Sequence, residues 1–186
     1  HQMRTPISSM KWNLELLKSP QFGELSEGQS DYFKKVSNAL NKMNNIIEDF
    51  LSVSQLELGT LKVSSGTVVL KDFINDVISE FDGRIAKKNL SIEANCDESI
   101  SSIETDKNLI HMVISNLVSN ATKYTPENGT VRVSYNQSLG GVTFEVVDSG
   151  VGIPEDELEK LFTKFFRASN VRKQILEGTG LGLYIV

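Results

Sequence analysis

The sequence predicts an α+β protein in two parts. Residues 1–58 form an antiparallel helical hairpin that a second copy completes into a four-helix bundle, and residues 59–186 form a mixed helix-and-strand domain. Three observations predict it. Two heptad-spaced apolar seams flank a chain-reversing cluster, the heptad spacing stops after Leu58-Gly59, and beyond that point short strand-like runs alternate with helical ones.

In the first part, Met3, Ile7, Met10, Leu14 and Leu17 are spaced 4-3-4-3, and Phe33, Val36, Leu40, Met43, Ile47 and Phe50 are spaced 3-4-3-4-3. Such seams pack helices side by side. Ser19-Pro20-Gln21-Phe22-Gly23 between them must reverse the chain. Ser26 with Gln29 three residues on reads as a capping box for the second helix. Two helices burying one stripe each make too small a core, so the hairpin either dimerises or packs on the second part; the dimer is the preferred reading.

In the second part, Leu61-Lys62-Val63 and Val68-Val69-Leu70 are short strand candidates. Phe73, Ile74, Val77, Ile78 and Phe81 recur at helical spacing, predicting a helix from Lys71 to about Lys87. Leu90 to Asn95 reads as a strand, and Asp106 as the start signal of a helix running to about Tyr124. Thr130 to Asn136 and Val142 to Asp148 predict an antiparallel hairpin around Gly140-Gly141. A helix near Glu155 to Phe162 follows, then a polar loop from about Ala168 to Glu177, and a glycine-rich turn leading into a last helix.

Composition removes several classes of function. Hydrophobic residues make up 39% and charged residues 23%, too apolar for a disordered chain. Nineteen basic against twenty-four acidic residues leave a net charge of −5, which implies no broad attraction to nucleic acid or anionic lipid. Cys96 is the single cysteine, so no internal disulfide, thiolate zinc site or iron–sulfur cluster can be built. No apolar run approaches the ~20 residues that cross a bilayer, and no signal peptide opens the chain. The segment reads as cytosolic.

Three segments carry the chemistry of a phosphate and base pocket. Asn116 and Asn120 lie four apart on one helix face, with Lys123 and Tyr124 beyond. Amide oxygens can complete the shell of Mg²⁺, a lysine can neutralise phosphate, and a tyrosine ring can flank a base. Asp148-Ser149-Gly150-Val151-Gly152 ends a strand with a carboxylate able to accept an exocyclic amine proton, and its two glycines let a ligand approach the backbone. Gly178-Thr179-Gly180-Leu181-Gly182-Leu183 opens the last helix, whose free N–H groups favour phosphate. Singly these signals are weak; in this order they are specific. Neither a P-loop nor a strand-linked G-x-G-x-x-G is present.

With these segments the chain resembles the catalytic core of a two-component sensor histidine kinase. His1-Gln2-Met3-Arg4-Thr5-Pro6 is similar to the H box, Asn116 to Tyr124 to the N box, and Asp148 to Gly152 to the G1 box. Leu161 to Arg167 is similar to the F box and Gly178 to Leu183 to the G2 box. The resemblance implies a dimerisation and phosphotransfer hairpin followed by an α/β-sandwich ATP-binding domain of the type shared with type II topoisomerases and mismatch-repair ATPases. It implies Asn120 as the Mg²⁺ ligand, Asn116 and Lys123 at the phosphates, and Asp148 reading the adenine amino group beside Gly150 and Gly152. Arg167 and the backbone of Gly178, Thr179, Gly180, Leu181, Gly182 and Leu183 would hold the triphosphate, with Ala168 to Glu177 as the ATP lid. Of Phe162, Phe165 and Phe166, two are expected in the core and one anchoring the lid. Where the related ATPases carry a water-activating glutamate this chain has Asn116, which disfavours hydrolysis and favours transfer to another nucleophile.

That nucleophile would be His1, which points away from the Met3/Ile7/Met10 seam. Pro6 should bend the helix beside it, and neutral imidazole offers a nucleophilic nitrogen. The family usually has an acidic residue next; Gln2 can orient the ring but cannot take a proton, so autophosphorylation should be weakened. Thr5, one turn on, is similar to the residue that positions water for dephosphorylating a partner regulator. Trp12, in line with Ser8 and Glu15 below His1, is a candidate docking surface for the response-regulator receiver domain. His111 reads as structural. The expected function is autophosphorylation on His1 from Mg·ATP and relay to a regulator aspartate. The alternative is a nucleotide-sensing dimer that transfers little or no phosphate because of Gln2. The chain further reads as the cytoplasmic piece of a membrane-anchored bacterial sensor, its stimulus and anchor lying elsewhere.

Overall fold

The computed structural model describes residues 4–97, 99–172 and 178–186. The chain divides into two compact units, His1–Gly59 and Thr60–Val186. His1, Gln2 and Met3, with the expected bend beside His1, lie outside the described residues, as do Lys173 to Glu177 of the expected lid.

The first unit is a helical hairpin of α1 (Arg4–Leu17) and α2 (Glu27–Glu57). A 3₁₀ turn over Pro20–Phe22 and a left-handed Gly23 (φ 80°) reverse the chain, a conformation that glycine adopts without steric cost. The capping box forms: Gln29 N donates to Ser26 Oγ at 3.3 Å and Ser26 N donates to Gln29 Oε1 at 2.9 Å. Each seam splits into two heptad series. Ile7 and Leu14 on α1, and Phe33, Leu40 and Ile47 on α2, are buried or half-buried. Met10 and Leu17, and Val36, Met43 and Phe50, stay 47–54% exposed. The Lys18 ammonium lies over the Phe33 ring at 4.3 Å, tying the end of α1 to the start of α2.

The second unit is an α/β sandwich. Its three-stranded sheet has the order β2 (Ser91–Cys96), β4 (Thr130–Ser138), β5 (Gly141–Asp148). β2 runs parallel to β4 from Ser91↔Thr130, and β4 runs antiparallel to β5 from Val131↔Asp148 to Ser138↔Gly141. A second pair joins β1 (Gly66–Val69) to β3 (Ser102–Thr105). Helices α3 (Leu70–Ser79), α4 (Asp82–Lys88) and α5 (Lys107–Tyr124) complete the domain. The core is Leu70, Phe73, Ile74 and Val77 of α3, Ile114, Val118 and Ala121 of α5, and Val131, Val133 and Tyr135 of β4. Period two on the strand meets period 3.6 on the helices.

The structure differs from three expectations and adds one strand. The single helix from Lys71 to Lys87 is two helices, broken at Glu80 and Phe81; Phe81 (φ −104°, ψ 5°) still packs on the core, so the apolar spacing runs through the break. Leu61-Lys62-Val63 is not a strand. Glu155–Lys160 is a 3₁₀ segment, started after Pro154. Ser102–Thr105 is a strand that its four largely polar residues did not announce.

Candidate functional site

α5 is held firmly at both ends, which matters because it carries Asn116, Asn120, Lys123 and Tyr124. At its start Asp106 caps the helix, its Oδ1 accepting from Asn108 N at 2.8 Å and Leu109 N at 3.1 Å, while Oδ2 accepts from Ser64 N at 2.5 Å. The Ser64, Leu109 and Asn108 amides hold its carboxyl below the usual carboxylate range, outweighing its burial. At the helix end, Lys88 Nζ donates to Lys123 O (2.6 Å), Thr125 O (2.7 Å) and Thr122 O (3.1 Å). Burial and the neighbouring Arg84 pull Lys88 below the ordinary lysine value, with Glu127 pulling the other way.

Around α5 the three segments meet. Asn116 Nδ2 donates to Met112 O at 2.9 Å, which turns its Oδ1 toward the last helix, α7 (Gly182–Ile185; α6 is described below). A Cβ on Gly182 would sit 2.7 Å from that oxygen. A Cβ on Gly178 would collide with Lys123 Nζ, whose ammonium lies 4.8 Å from the centre of the Tyr124 ring. The turn after β5 meets the same helix end: Val151 N donates to Tyr124 O at 3.4 Å. A Cβ on Gly150 would stand 3.0 Å from that carbonyl. Gly150 N also donates to Asp148 Oδ1 at 2.8 Å, fixing the carboxylate within its own turn.

Among these positions Gly180 (φ 73°) is the one closest to backbone. A Cβ there would lie 2.6 Å from Phe165 C and 2.8 Å from Phe166 O, backbone atoms that cannot swing aside. Phe165 itself has φ 60°, an uncommon conformation for a bulky residue. Thr179 Oγ1 accepts from Leu181 N at 3.2 Å, and Leu181 is buried. Gly178 to Leu183 therefore runs between the Phe165–Phe166 backbone and α5. Phe162 and Phe165 are 61% and 65% exposed, so neither fills the core as expected; Phe166 is half-buried.

The stretch from Ala168, expected as a loop, begins as a short helix. α6 (Ser169–Arg172) buries Val171. Ser169 N donates to Glu157 Oε2 at 2.9 Å, and Asn170 Nδ2 to Gly152 O at 3.0 Å. Asn170 thus joins this turn to the Asp148–Gly152 segment and Glu157 joins it to the Glu155–Lys160 segment, roles hidden in sequence because both resemble ordinary surface residues. Lys88 was hidden likewise, as one of two lysines in the last turn of a short helix. His111 lies outside the site, its Nε2 2.6 Å from Glu80 Oε1. Thr5 and Trp12 belong to the first unit, and Trp12 is 69% exposed.

The donor set suits an ion carried by a phosphate ligand. Among the described residues no group of three or more His, Cys, Asp or Glu side chains could hold a metal. Asn120 adds one half-buried amide oxygen. Mg²⁺ typically takes one or two protein oxygens and fills its octahedron with phosphate oxygens and water, so these residues fit it. No described helix is long and apolar enough to cross a membrane.

Residues 105–186 match a family model described as histidine kinase-, DNA gyrase B- and HSP90-like ATPase, and residues 1–59 match the His kinase A (phospho-acceptor) domain. The adaptive-response sensory kinase SasA of Crocosphaera subtropica is 30% identical over 188 residues, covering 98% of this chain and 49% of SasA. The chain spans less than half the length of the curated relatives it matches. The solved catalytic domain of histidine kinase ThkA is 33% identical with a TM-score of 0.57, covering 66% of this chain and 78% of that one. ThkA has also been solved in complex with the response regulator TrrA; there the likeness is 27% identity and a TM-score of 0.61 over 90% of this chain and 48% of that one. Full-length ShkA in complex with AMPPNP shares the fold over 99% of this chain and 39% of its own, with a TM-score of 0.73 at 22% identity.

Proposed function

The chain belongs to the sensor histidine kinases, and from that premise we propose that it binds Mg·ATP, autophosphorylates on His1 and passes the phosphoryl group to an aspartate of a response regulator. The observation that carries the reading is the meeting of three segments on α5: Gly182 against Asn116 Oδ1, Gly178 against Lys123 Nζ, and the Asp148 turn against Tyr124 O. Lys123 and the Gly178–Leu183 backbone, with Arg167, would neutralise and hold the triphosphate. Asp148, its Oδ1 engaged by Gly150 N, would use Oδ2 for the adenine amino group, with Gly150 and Gly152 shaping that wall and Tyr124 flanking the base. Asn120 would hold the magnesium ion, which when bound neutralises phosphate charge.

In the first step the unprotonated imidazole nitrogen of His1 attacks the γ-phosphorus, the bond to the β–γ bridging oxygen breaks, and ADP leaves with that oxygen; the phosphorylated ring, now cationic, loses the single N–H proton on its other nitrogen to solvent. Positioning and charge neutralisation supply most of the rate in such transfers. Gln2 can accept the N–H that orients the ring but takes no proton. Asn116 has no basic lone pair with which to activate water, so the phosphoryl group is kept for His1. In the second step the regulator's carboxylate attacks the same phosphorus and the N–P bond breaks. Thr5 would position water for later dephosphorylation. The dimer forms through the hairpin, and the exposed Trp12 face docks the regulator; the ThkA–TrrA complex supports a response regulator as the partner, without bearing on Trp12.

The test is incubation with γ-labelled Mg·ATP beside His1→Ala. Acid-labile, base-stable label that needs His1 is expected. ATP binding without label would instead favour the nucleotide-sensing dimer, the reading to which Gln2 points. For docking, Trp12→Ala should slow transfer to the regulator and leave His1 labelling unchanged; equal transfer would refute it.

A further inference from the structure

The end of α5 is a negative pole facing the Gly178–Leu183 turn, where the proposed function puts the phosphates. The last carbonyls of a helix lack intrahelical donors, and the helix dipole concentrates partial negative charge there. Lys123 belongs to this turn, and its ammonium is aimed at Gly178. Left bare, the pole would repel a triphosphate held between them. Instead the Lys88 ammonium converges on Lys123 O, Thr125 O and Thr122 O at 2.6, 2.7 and 3.1 Å. Arg84, one turn earlier on α4, donates to Ser119 O at 3.3 Å and Thr122 Oγ1 at 3.4 Å. The Lys88 carbonyl also accepts from Asn128 N at 2.9 Å, in the loop leaving α5. The one carbonyl between these, Tyr124 O, is taken from the other side by Val151 N.

We propose that Lys88 is a positioning residue of the nucleotide site: its ammonium cancels the negative end of α5 and fixes the last turn, so that Lys123 meets the phosphates. The inference rests on the reading that the phosphates lie between Lys123 and the Gly178–Leu183 turn. Lys88 touches no nucleotide itself; it acts through Lys123 and through the carbonyls it covers.

The full chain and its Lys88→Met, Lys88→Arg and Asp148→Asn variants would be titrated with Mg·ATP by calorimetry and with adenosine by NMR, at a temperature where circular dichroism shows each folded. Lys88→Met is expected to lose about tenfold in ATP affinity and less than about twofold for adenosine, with Lys88→Arg recovering most of the loss. A purely structural lysine would lower both affinities alike or neither, and either result overturns the proposal. Should Lys88→Met fail to fold, Lys88→Gln, whose amide keeps two N–H donors without the charge, carries the same comparison. Asp148→Asn separates the failures. If it binds both ligands as the parent does, the nucleotide site itself is misread and the inference falls with it. If it is impaired while Lys88→Met is not, only the role of Lys88 is wrong.

Discussion

Gly182 and Asn116 are coupled by a distance that leaves room for nothing else. Asn116 is held by its bond to Met112 O, so a Cβ on Gly182 would press on an amide that cannot rotate without losing that bond. Gly182→Ala is therefore expected to weaken ATP binding by about tenfold, while the same change in an Asn116→Ala background should cost almost nothing further. Additive losses in that double-mutant cycle would show the two residues to act independently. Gln2 makes the opposite kind of prediction. Replacing it with Glu restores a proton acceptor beside His1, and general-base assistance is typically worth ~10²–10⁴-fold, so labelling of His1 should accelerate by at least the lower figure. An unchanged rate would mean that proton removal does not limit the step. The Gln2 prediction was legible at the residue level, because Gln2 departs from a motif; for Gly182 the motif gave the residue but not its contact with Asn116, which the fold brings together. Lys88 was not legible: its partners are backbone carbonyls 34–37 residues away, and no local pattern records such a bond.

Among the elements, α5 has the clearest dependence on pH. Asp106 caps it and also receives Ser64 N, and these amides lower the carboxyl relative to an unfolded chain. A carboxyl lowered on folding contributes stability that is fully present above its ordinary value of 3.8 and is lost as pH falls through the lower folded value. The urea midpoint should consequently drop below about pH 4. Asp106→Asn keeps a capping oxygen and removes the charge, so it should flatten part of that acid limb. Asp97, lowered by the Ser99 hydroxyl and amide, acts in the same direction and is untouched by that change. A limb identical in parent and variant would place the acid sensitivity elsewhere. The same element shows where sequence reading works. Asp106 before a run of apolar residues marked the start of α5 because capping is a local interaction. The pairing of Ser102–Thr105 with Gly66–Val69 depends on partners distant in sequence, and the apolar spacing continues through the break at Phe81, so periodicity alone passed over both.

For the molecule as a whole, the two heptad series of the hairpin carry the argument for assembly. The 3-4 spacing in sequence could not say which seam residues meet within one chain. The fold assigns Ile7, Leu14, Phe33, Leu40 and Ile47 to the hairpin's own interface. Met10 and Leu17 on α1, and Val36, Met43 and Phe50 on α2, are left about half exposed in rows seven residues apart. At about 25 cal/mol per Å² such rows are costly to leave in water, and a second copy presenting the same rows would cover them isologously. Interface burial of this kind makes stability depend on concentration. The thermal midpoint of the parent should rise with protein concentration, and sedimentation should report a dimer. Val36→Glu with Met43→Glu places like charges at the centre of the covered rows without touching Phe33 or Leu40. It should give a folded monomer whose midpoint no longer varies with concentration. If the doubly substituted chain still sediments as a dimer, the exposed rows are not the interface, and the copies must meet through another surface.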